Sequence, residues 1–98
     1  MTDDPKQFPQ PDQLTITEAI ETAVAAREDG KTVCPSEVAR ALAGSDEKNW
    51  RRLMKPIRAE AVRLADAGRL DIRRKGKIVD PHDFRGVYRL AAPRSTEN

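Results

Sequence analysis

Arg51, Lys55 and Arg58 recur at i, i+4 and i+7, so on a helix they share one face, with Arg52 at its edge. Farther along, Arg73, Arg74, Lys75 and Lys77 crowd around Lys75-Gly76, a pair that reads as a turn. A guanidinium can grip a phosphate or bridge two acceptors on a guanine edge, whereas an ammonium acts as a point charge. The chemistry these types and spacings suit is therefore recognition of a polyanion. Arg51 and Arg58 are the candidates for base edges and Lys55 for phosphate, while the four hairpin cations would lie along an adjacent groove or backbone.

Segregation of charge makes the set harder to dismiss as ordinary solubilising surface. Arg51 to Lys77 holds ten Lys or Arg against three Asp or Glu, a local charge of +7, whereas the whole chain carries only +2. Met1 to Trp50 is acidic, with ten Asp or Glu against five Lys or Arg. A solubilising surface normally mixes signs, and a basic block confined to one helix and one hairpin is the footprint expected of a nucleic-acid-binding protein.

Other reactive side chains are sparse. Cys34 precedes Pro35 at a helix start, where the helix dipole favours a thiolate, yet no second cysteine exists to resolve an oxidised thiol. It reads as a small residue fitted to a tight helix entry. His82, the one histidine, sits between Asp80 and Asp83, too few ligands for zinc with three or four protein donors, so that stretch reads as a proline-containing loop. No phosphate-cradling glycine loop or serine-centred nucleophile motif is present. The expectation is a protein that is not an enzyme and uses no metal or cofactor.

The elements that must position the cations follow from periodicity and punctuation. Thr15 with Glu18 reads as a capping box, and Ile16, Ile20, Ala23 and Val24 form the apolar stripe of a first helix running to Gly30. Lys31-Thr32-Val33 is a short connecting strand; Pro35 then opens a brief second helix that Gly44 stops. Ser45 or Asp46 caps a third helical stretch reaching Ala67, with Leu53, Ile57, Ala61, Leu64 and Ala65 inward and Gly68 at its end. Pro56 either kinks that stretch or divides it in two, because an interior proline costs about 3 kcal/mol. After Gly68 the period becomes two: Leu70 and Ile72 alternate with Asp71 and Arg73 in a strand, Ile78-Val79 returns or joins a longer loop, and Val87 to Leu90 is a last strand. Trp50 should fill the gap between the third helix and the hairpin.

With 98 residues and 38% apolar content, the chain suits one small domain. Residues 1–13, rich in proline, glutamine and aspartate, and residues 92–98 are expected to be disordered, leaving a folded domain over residues 14–91. No apolar run approaches a membrane span, Met1-Thr2-Asp3-Asp4-Pro5 lacks the basic and apolar parts of a secretion signal, and one cysteine permits no internal disulfide. The expected location is the cytoplasm.

Helix, short strand, helix, helix and hairpin is the order of a winged helix-turn-helix, an α+β, mainly α fold with three helices and a small antiparallel sheet. Cys34-Pro35-Ser36-Glu37-Val38-Ala39-Arg40-Ala41-Leu42, Trp50-Arg51, Leu53-Met54, Arg58, Leu64-Ala65-Asp66-Ala67-Gly68-Arg69-Leu70, Gly76, Gly86 and Arg89-Leu90 also resemble a family of small bacterial winged-helix domains of unknown function. The resemblance covers about Ile16 to Leu90, implies the fold, and brings no activity with it. More loosely, Leu64 to Arg74 is similar to the end of a recognition helix and the first wing strand of bacterial transcription regulators.

The expected function is binding of double-stranded DNA, as a small transcription regulator or accessory module, through Arg51, Arg52, Lys55, Arg58, Arg73, Arg74, Lys75 and Lys77. A homodimer would double the few contacts one module makes. The competing expectation is a protein-interaction winged helix whose basic face meets an acidic partner or the chain's own Asp3, Asp4 and Asp12. A thiol-sensing regulator built on Cys34 is a third.

Overall fold

The computed structural model describes residues 11–27 and 31–93. Asp3, Asp4 and Gly30, together with most of the two terminal segments read as disordered, lie outside them. The chain is α+β and mainly helical: α1 (Gln13–Ala25), α2 (Pro35–Ala43), α3 (Glu47–Arg51), α4 (Met54–Asp66), β1 (Asp71–Arg74), β2 (Lys77–Ile78) and β3 (Arg89–Ala91). The strands form an antiparallel sheet in the order β2-β1-β3, and Val33 extends it through a bridge to Leu90.

Four helices replace the three expected because Pro56 divides the third stretch. Asp46 caps α3, its carboxylate accepting from the Lys48 amide at 3.0 Å, and the chain turns through Arg52-Leu53 before α4 begins. Pro56 thereby falls in the first turn of α4, where its missing N–H has no intrahelical partner to lose. Leu53 stays in the core at the junction, 3% exposed, so the division keeps the apolar stripe of Leu53, Ile57, Ala61 and Leu64 on one side. At the other end the Gly68 amide donates to Ala65 and the Arg69 amide to Leu64, closing α4 by the Schellman pattern.

α1 also starts earlier than its capping-box reading. Asp12, not Thr15, is the N-cap, accepting from the Thr15 amide at 2.9 Å, and hydrogen bonding from Thr15, its side chain first and then its amide, holds the Asp12 carboxyl below its usual value. The helix ends at Ala25, before Gly30. The earlier start puts Gln13 and Thr17 on the side facing α4, where they meet Glu60, a carboxylate 4% exposed. Gln13 Nε2 donates to Glu60 Oε1 at 3.0 Å, the Thr17 hydroxyl donates to Oε2, and Arg63 closes the network from the next turn, its Nε 3.0 Å from Oε1. These donors, Arg63 first, pull the Glu60 carboxyl down to about 2 against the opposing effect of burial.

Ile16, Ile20, Val24, Val38, Ile57, Leu64, Leu70, Ile72 and Leu90 fill the centre between the helices and the inner sheet face. Trp50 departs from its expected place. It is half-buried on α3 with the Arg40 guanidinium of α2 over its ring, 5.5 Å from the centroid, so α2 rather than the hairpin is its partner. The β1–β2 turn has positive φ at both central residues, Lys75 (54°) and Gly76 (82°), as a type I′ hairpin turn requires.

Two outcomes test this packing. Glu60 is ionised in the fold at a pH where its unfolded form would take up a proton, so its contribution is complete above about pH 4.5 and is lost as pH falls through about 2. Glu60→Gln should lower stability at neutral pH by on the order of 2 kcal/mol, with the gap closing in acid, as read from urea unfolding across that range. Gly76→Ala should cost about 1 kcal/mol from φ strain alone, because a Cβ there meets nothing within 4 Å.

Candidate nucleic-acid interface

The basic residues gathered by the sequence part company in three dimensions. On α3, Arg51 is exposed but ion-paired with Glu47 one turn earlier. Arg63 is taken by Glu60, and Arg69 reaches back to Glu21 of α1 at 2.6 Å. Glu47 and Glu21, from the acidic half of the chain, therefore offset part of the +7.

Two further arginines turn inward onto one loop. The Arg58 guanidinium lies 4.0 Å from the Phe84 ring centroid and 5.8 Å from that of Tyr88, while its Nη2 donates to the Phe84 carbonyl at 2.8 Å. From β1, Arg74 Nε donates to the Val87 carbonyl at 2.9 Å. Gly86 suits its φ of +83°, and a Cβ there would crowd the Arg74 Nη2 at 3.1 Å. The α4 and hairpin cations do converge here, as a clamp that seats residues 84–88 against the domain and not as a free basic face. Phe84 and Tyr88 complete the seat in an edge-to-face pair at 5.2 Å. His82 adds a third tie, its Nε2 2.7 Å from Asp66 Oδ2 at the end of α4, a partner outside the Asp80–Asp83 cluster.

What remains on the surface is narrower. Lys55, at the start of α4, is exposed, as are Lys75 and Lys77 at the hairpin tip; Arg52, at the α3–α4 junction, is exposed but not free of partners. No carboxylate is ion-paired with Lys55, Lys75 or Lys77 among the described residues. Lys77 stands directly across from Arg74, and Arg73 across from Ile78 on β2 and Arg89 on β3. Arg73 is half-buried, with its Nε shut from water and unpartnered among the described residues. Arg89 was not a sequence candidate; only the register of β3 against β1 brings it beside Arg73.

Cys34 is the N-cap of α2, half-buried, its Sγ 3.0 Å from the Ser36 hydroxyl. Glu37 returns a weak 3.4 Å contact to the Cys34 amide, an arrangement that fits a helix entry. The nearby Tyr88 hydroxyl is buried without a partner among the described residues, and burial pushes it up to about 12. Among the described residues no group of three His, Cys, Asp or Glu is placed to hold a metal, and no helix is long and apolar enough to cross a membrane.

Residues 13–93 match the model of the family described as Protein of unknown function (DUF3253), and the chain belongs to that family. No curated protein matches it.

The clamp has a measurable consequence. Arg58→Ala removes a charged donor to a carbonyl and the cover of a buried aromatic, and should lower stability by about 2 kcal/mol. Arg51→Ala, on an exposed pair, should stay within about 0.5 kcal/mol. Thermal or urea unfolding of the two variants reads the difference.

Proposed function

We propose that this chain is a winged-helix module that binds duplex DNA mainly through its phosphate backbone. The order α1, the Val33 bridge, α2, α3, α4 and a hairpin whose sheet continues through β3 to Val33 supports the winged-helix assignment. Residues 75–88 would then be the wing, held to α4 by Arg58 and His82 and to β1 by Arg74.

The observation that carries the reading is the exposure of Lys55, Lys75 and Lys77 without a paired carboxylate among the described residues, in a segment of local charge +7. Lysines of this kind bind phosphate as point charges and release condensed counterions. Engagement of Arg58 with Phe84 and of Arg51 with Glu47 favours backbone contact over reading of base edges. Such a protein would act as an accessory or weakly selective regulatory module.

Titration of labelled duplexes of unrelated sequence at several salt concentrations tests this. Three phosphate contacts, from Lys55, Lys75 and Lys77, contribute about −2.7 to the log-log slope, with little dependence on sequence. Absence of binding at low salt, or a flat salt response, would remove the reading and leave recognition of an acidic protein as its replacement.

A further inference from the structure

β1 and β3 place two arginines opposite each other where the core cannot receive them. Ile72 and Leu90 are Cα partners and face inward, 1% and 0% exposed. The next rung, Arg73 opposite Arg89, must therefore point to the outer face, because successive strand residues alternate sides. Directly opposed side chains start from Cβ atoms only about 5 Å apart, and like charges in that position repel. Among the described residues no ion pair to either arginine relieves this pair. Arg89 spends its donors on Thr32, Nε to the hydroxyl at 2.6 Å and Nη2 to the carbonyl at 3.3 Å, both neutral acceptors. Arg73 has no ion pair among the described residues, and its buried Nε has no acceptor. Asp71 shares the face at the rung of Ala91, one carboxylate against two guanidinium groups.

We infer that Arg73 and Arg89 form a phosphate-binding rung on the outer face of the sheet. An oxyanion seated between them would take charge-assisted hydrogen bonds from the guanidinium N–H groups that Thr32 and burial leave open, and cancel their repulsion. Thr32 fixes one fork in advance, and Ile78 lies on the other side of Arg73 in the same row. The rung lies two residues from Lys75, so a backbone held at the hairpin tip could continue across the sheet. This deepens the nucleic-acid reading and rests on it for the identity of the ligand; the shared chemistry is a phosphate group, from a nucleic-acid backbone or from a free polyphosphate.

The test uses the full chain, Arg73→Gln, Arg89→Gln and the double variant, with short duplex DNA in one arm and inorganic tripolyphosphate in the other. On DNA, each single substitution should reduce the magnitude of the log-log salt slope by about 1 and the double by about 2, alike on unrelated sequences. In the second arm, tripolyphosphate should raise the melting temperature of the wild type, and the double variant should lose that shift. Loss of the tripolyphosphate response with an unchanged DNA slope supports the rung and assigns it to free polyphosphate. Wild-type DNA binding with neither slope nor tripolyphosphate response altered in the variants overturns the rung and leaves the nucleic-acid reading standing. A wild type that binds neither ligand overturns both. Circular dichroism of each variant separates these outcomes from unfolding.

Discussion

The Arg58 guanidinium, over the Phe84 ring and bonded to its carbonyl, couples the helical layer to everything that follows the hairpin. With Phe84 held there, Tyr88 packs edge-on beside it and the chain arrives at β3 in register to pair with β1 and to bridge Val33. A delocalised, weakly hydrated cation suits this role, since it covers an aromatic face while donating in its own plane. Lysine could supply the charge but not both contacts. The sheet that carries Lys75, Lys77, Arg73 and Arg89 is thus secured by an arginine that its own position withholds from a ligand.

A second constraint is electrostatic. The chain has nearly equal numbers of the two signs, 18 cations and 16 anions, and the fold uses several acids to restrain the basic segment. Glu21, Glu47 and Glu60 take Arg69, Arg51 and Arg63, the last through a buried carboxylate that has Gln13 and Thr17 as further donors. Exposed pairs such as Arg51–Glu47 contribute little to stability and exchange readily with a stronger anion. Glu60 is different, because leaving it without its donors would strand a buried charge.

Much of the helical frame was legible in the sequence. Ile16, Ile20 and Val24, then Ile57, Ala61 and Leu64, face inward as their spacing requires, and Pro35 and Gly44 bound α2 as local rules dictate. The capping-box pattern misplaces the start of α1 at Thr15: Asp12 is the cap, and the earlier start brings Gln13 to Glu60 on another helix, a contact no local pattern encodes. Pro56 left two solutions open; division prevailed because Asp46 could cap a short α3 and Leu53 could stay in the core at the junction. The cations were legible as a group but not as individuals. Arg58 and Arg74 turn inward toward carbonyls 26 and 13 residues away, and Arg89 gains meaning only through strand register, which no local pattern encodes.

The most direct test of a backbone-binding surface centred on the hairpin is an amide chemical-shift titration of the isotope-labelled chain with short duplex DNA. The account requires the largest shifts at residues 73–78 and around Lys55 and Arg89, with the amides of α1 and the Glu60 network unmoved. Shifts concentrated on α1 and the Arg63 side of α4, or none at low salt, would contradict it.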